Sequence, residues 1–84
     1  MKNKKVTPYR DEDEAKLLKR IGRRVQQDLF DLDKPIEWLS FESETARSTI
    51  RTIFNGQSNV GILTLHRISK ALGYKNVSDF LDTL

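Results

Sequence analysis

Apolar residues along this chain recur at spacings of three and four, and the rhythm is interrupted at Pro35, Gly56 and Gly73. That spacing lines one face of a helix, whereas a half-buried strand would alternate at every second residue. Leu18, Ile21, Val25, Leu29 and Leu32 make the first stripe. Asp11, Glu12, Asp13 and Glu14 crowd its start, where carboxylates suit the positive end of the helix dipole. Pro35 bounds it, because the residue before a proline resists helical geometry. A short second helix is expected from Pro35 to about Glu42, with Ile36, Leu39, Ser40 and Ser43 inward and Trp38 and Phe41 round the side. A third spans about Ala46–Phe54, with Ile50 and Ile53 (or Phe54) inward, and Asn55-Gly56 ends it. The fourth covers about Ile62–Leu72, with Leu65, Ile68, Ala71 and Leu72 on one face and Gly73 as its stop. Asn76 or Ser78 caps a last helix carrying Val77, Phe80, Leu81 and Leu84. The expected fold is therefore all-α, a compact bundle of five helices over residues 11–84.

With 84 residues there is material for one core, burying about 60–65% of the unfolded surface. No cysteine and a single histidine leave no thiolate or Cys/His set, so neither disulfides nor a metal site is expected. Catalysis finds no foothold: there is no nucleophile–His–acid set and no Gly-rich phosphate loop, and no cofactor is expected. No apolar run suits a signal peptide or a membrane span, so the expectation is a cytoplasmic protein without a membrane partner. The net charge of +3 is unevenly placed. Lys2, Lys4, Lys5 and Arg10 stand without an acid in the first ten residues, which read as a flexible basic arm, and the remainder of the chain is close to neutral. A second acid-free run holds Lys16, Lys19, Arg20, Arg23 and Arg24.

Four fragments in order narrow the reading. They are Ile21-Gly22-Arg23-Arg24-Val25, Leu39-Ser40, Ala46-Arg47-Ser48-Thr49-Ile50 followed by Gly56, and Thr64-Leu65 with Ile68, Ala71 and Leu72. From Ile21 to Gly73 the chain resembles the Cro/phage-repressor type of helix-turn-helix domain, the lambda-repressor-like fold. The resemblance implies a sequence-specific regulator of transcription that binds double-stranded DNA, with the third helix in the major groove. Base contacts would fall to Arg47, Ser48, Arg51 and Thr52. Each arginine can grip a guanine through two hydrogen bonds, about 1–3 kcal/mol of discrimination per base. Phosphate contacts would fall to Thr45, Asn55, Gln57, Ser58 and Asn59, which position rather than read. A homodimer is implied too, setting two such helices about 34 Å apart in successive grooves.

Several positions depart from that family. Glu44 stands where glycine is usual in the turn, which implies an altered or strained turn, and Ala46 replaces the usual serine cap, so Thr45 or Ser43 would have to take over. Asp28 and Lys34 occupy commonly apolar positions, with Leu32 as the expected compensation. Leu29 and Phe54 replace an arginine–glutamate pair, so an apolar contact is expected there. Trp38 and Phe41 read as core, or else as the surface of a helical module that binds a protein partner. His66 reads as a residue of the outer face of the fourth helix.

Overall fold

A computed structural model describes residues 7–84. Among these residues the chain is all-helical and free of strands: α1 (Glu12–Asp31), α2 (Ile36–Ser43), α3 (Arg47–Phe54), α4 (Ile62–Ala71) and α5 (Val77–Leu81). The basic arm expected over 1–10 falls in part outside the described residues. Its last residues are held against the protein, since Thr7, Pro8 and Tyr9 are half-buried.

Each helix begins and ends for a local reason. Asp11 caps α1 through Oδ1, which accepts the Glu14 N–H at 3.0 Å, while Glu14 Oε1 accepts the Arg10 N–H at 2.7 Å. Four ends share one device, in which two amides fold back on carbonyls of the last turn around a residue of positive φ. At the end of α1 the Lys34 N–H reaches the Leu29 carbonyl around Asp33, at φ 57. Thr45 reaches Ser40 around Glu44 (φ 54), Gln57 reaches Thr52 around Gly56 (φ 70), and Tyr74 reaches Ser69 around Gly73 (φ 105). Glycine takes that conformation freely, but Asp33 and Glu44 carry a Cβ and cost about 1 kcal/mol each. The strain expected at Glu44 is present, with its φ in the left-handed region.

The core draws on every helix. Ile21, Val25 and Leu29 of α1 meet Leu39 of α2, Ile50 and Ile53 of α3, Leu65 and Ile68 of α4, Leu72, and Phe80 of α5. The α1 stripe stops at Leu29, because α1 ends at Asp31, and Leu32 just beyond it is 43% exposed and so cannot compensate for Asp28. Phe80 is fully buried and Leu84 packs against the core, so α5 closes the bundle with its inner face and leaves Leu81 partly exposed. Leu29 lies within the apolar cluster, and Phe54 is partly buried against that cluster.

Gly22 fixes how closely α1 and α3 approach. A Cβ there would overlap the carbonyl oxygens of Ile53 and Phe54, so the last turn of α3 lies directly on α1. Here glycine serves close approach, not an unusual dihedral. No helix among the described residues is long and apolar enough to cross a membrane.

A candidate nucleic-acid interface on α3

The α2–α3 connection is three residues long, and hydroxyls hold it. Ser40 Oγ donates to the Thr45 carbonyl at 2.6 Å, and Thr45 Oγ1 donates to the Ser43 carbonyl at 3.1 Å. Ser43 Oγ is buried and donates to the Leu39 carbonyl at 2.6 Å. All three hydroxyl protons go to carbonyls, neither Ser43 nor Thr45 accepts an N–H of the first turn, and α3 starts after Ala46 with no side-chain cap. Thr45 differs in this from the other expected phosphate contacts. It is 9% exposed and its N–H is bonded to the Ser40 carbonyl, so both of its donors are spent inside the turn.

The amphipathic split of α3 puts Ile50 and Ile53 in the core and leaves Arg47, Ser48, Arg51 and Thr52 on one exposed face. Thr52 Oγ1 donates to the Thr49 carbonyl at 2.7 Å and keeps its lone pairs for an outside donor. Arg51 has no acid partner among the described residues. Arg47 has one, because its Nη1 lies 3.4 Å from Glu37 Oε2 of α2, with both side chains more than half exposed. An exposed pair of this kind contributes about 0–1 kcal/mol, so it tethers Arg47 only loosely. Glu37 escaped the sequence reading because it sits ten residues away on another helix.

Beyond α3, Asn55, Gln57 and Asn59 are exposed and Ser58 is half-buried. This loop runs along α1. A methyl group placed on Gly56 would fall 2.8 Å from Lys19 Cγ, and Asn59 shares a shallow depression with Pro8, Glu14, Leu17 and Leu18.

The aromatic pair on α2 divides. Trp38 is half-buried against the core with Lys34 Nζ 5.6 Å from its ring centre, a cation–π arrangement. Phe41 is 80% exposed. Packing thus absorbs Trp38, and only Phe41 stands as surface.

A partly buried polar cluster lies elsewhere, between α1 and the α4–α5 connection. Asp28 Oδ1 accepts from Arg24 Nη2 at 2.6 Å and Nε at 3.0 Å, and Tyr74 OH donates to Asp28 Oδ2 at 2.6 Å. The Tyr74 ring meets Phe80 edge-on with centroids 5.3 Å apart. The hydrogen bond to Asp28 raises the Arg24 pKa further, and burial, then the bond to Asp28, raises that of Tyr74. Sequence reading flagged Asp28 as an anomaly but missed Tyr74, 46 residues away. His66 also departs from expectation: it is half-buried, and its Nδ1 accepts the Val77 N–H at 3.3 Å, which ties α4 to the start of α5.

No group of three or more His, Cys, Asp or Glu residues among those described could hold a metal ion. The chain matches no model of a known protein family and no curated protein.

Proposed function

We propose that this chain is a sequence-specific double-stranded DNA-binding regulator in which α2 and α3 act as a helix-turn-helix and α3 enters the major groove. The observation that carries the reading is the outer face of α3. Two arginines one turn apart stand there beside the short side chains Ser48 and Thr52, with no acid on the helix, while its other face is sunk in the core. Arginines so spaced can each grip a guanine edge, and short neighbours let the backbone come close to the bases. Asn55, Gln57, Ser58 and Asn59 follow directly as neutral donors for phosphate oxygens. The lambda-repressor-like sequence resemblance supports the same assignment.

In this reading the protein acts by occupancy, lying on an operator to block or recruit polymerase. A homodimer would present two α3 helices to successive grooves. Enrichment of the chain on a pool of duplexes with a randomised segment tests the proposal. A shared motif should emerge with the wild type and vanish with Arg47→Ala plus Arg51→Ala; a wild type that enriches no motif overturns it.

Exposed Phe41 favours a second reading, a helical module that binds a protein partner through α2. There the motif would fail to emerge, and Phe41→Ser would abolish binding to that partner.

A further inference from the structure

We infer that α1 forms a second track for the DNA backbone, with Lys16, Lys19 and Arg23 contacting the phosphates that flank the groove occupied by α3. This rests on the DNA reading above and extends it to a surface which that reading does not use.

Three observations meet here. Lys16, Lys19 and Arg23 are spaced three and four apart, so they share one stripe of α1, with Arg20 beside them. All four are exposed, and none takes part in an ion pair among the described residues. The fifth cation of the run, Arg24, turns the other way and is bound to Asp28. From Ala15 to Gln27 α1 carries no acid, and Glu14 just before it is engaged by Arg10.

The stripe is also in the right place. Lys19 lies against Gly56, between the expected phosphate contacts Asn55 and Gln57, and further along the loop Asn59 meets α1 again beside Leu17 and Leu18. The neutral donors Asn55 and Gln57 on the loop therefore adjoin the cation stripe of α1 at Lys19. A row of unpaired cations beside hydrogen-bond donors is complementary to a row of phosphates, where each neutralised phosphate releases condensed counterions. Gly22 makes the juxtaposition possible, since it lets α3 and the following loop sit directly on α1.

The test compares the salt dependence of duplex binding for the wild type and for Lys19→Gln plus Arg23→Gln. Glutamine keeps the methylenes that pack on Gly56, and circular dichroism verifies that the variant is folded. A control variant, Lys70→Gln plus Lys75→Gln, removes the same charge from two other exposed positions. The inference expects a slope of log affinity against log salt shallower by about two for the α1 variant. Its binding should weaken equally on selected and random duplexes, by about tenfold at low salt, with the control unchanged. An unaltered slope overturns the inference while leaving the DNA reading intact, and means that the stripe faces something other than DNA backbone. An equal change in the control overturns it as well, because net charge alone would then explain the effect. A folded wild type that binds no duplex at low salt defeats both.

Discussion

Arginine stands in two settings in this small protein, and the fold treats them in opposite ways. Arg24 is spent on structure: it makes two hydrogen bonds to Asp28, whose second oxygen accepts from Tyr74, and the cluster ties α1 to the approach to α5. Arg47 and Arg51 are left for use. One has only a loose, exposed tether to Glu37 and the other has no acid partner among the described residues, although the helix beneath them is anchored by Ile50 and Ile53. The contrast shows that charge alone does not mark an interface. A partly buried arginine paired with an acid contributes to the fold, and an exposed, unpaired one on an anchored helix is available to a ligand.

The seam between the two settings is the place to break the comparison most severely. Gly22→Ala pushes a methyl group into the Ile53 and Phe54 carbonyls, and only backbone movement relieves it. Urea denaturation should record a loss of about 3 kcal/mol. Removing the acid from the structural cluster comes next. Asp28→Ala strands the Tyr74 hydroxyl and the Arg24 guanidinium and should cost about 2–3 kcal/mol, because a partly buried partner is left unmatched.

The same cluster predicts a pH dependence. The Tyr74 pKa is raised in the folded state above its ordinary value of 10.0, so its contribution is complete below that value and is lost as pH climbs through the folded pKa. Thermal melts taken from pH 9 upward should hold level to about pH 10 and then show stability falling, and Tyr74→Phe should flatten that fall. On the other side, Glu44→Gly relieves a positive φ in the α2–α3 turn and should add about 1 kcal/mol. Smallest of all, Arg47→Ala plus Arg51→Ala should change stability by less than about 0.5 kcal/mol, since both side chains are exposed. A large loss there would mean that these arginines are structural after all.

Much of this was legible in the sequence, and the parts that were not share a physical cause. Helix positions follow from local rules of spacing, capping and chain reversal, so α1 to α5 could be read from Asp11, Pro35, Gly56, Gly73 and the stripes between them. The outward face of α3 follows from the same periodicity once Ile50 and Ile53 are turned inward. Partnerships across helices are another matter. Tyr74 with Asp28, Glu37 with Arg47 and Val77 with His66 join residues that tertiary packing brings together, and no spacing rule reaches them. One clue was present: an aspartate beside Val25 and Leu29 on a core-facing stripe requires a partner, because a lone buried carboxylate is too costly. Leu32 was the wrong compensation, since the helix ends there and turns away through Asp33.

In the proposed function the arginines on α3 read duplex sequence. The most direct measurement is the ratio of affinities for a selected and a random duplex, at fixed salt, for the wild type and for Arg47→Ala plus Arg51→Ala. The ratio should collapse towards one in the folded variant, with binding to random duplex retained in part. An unchanged ratio would contradict it, because the sequence would then be read by some other surface.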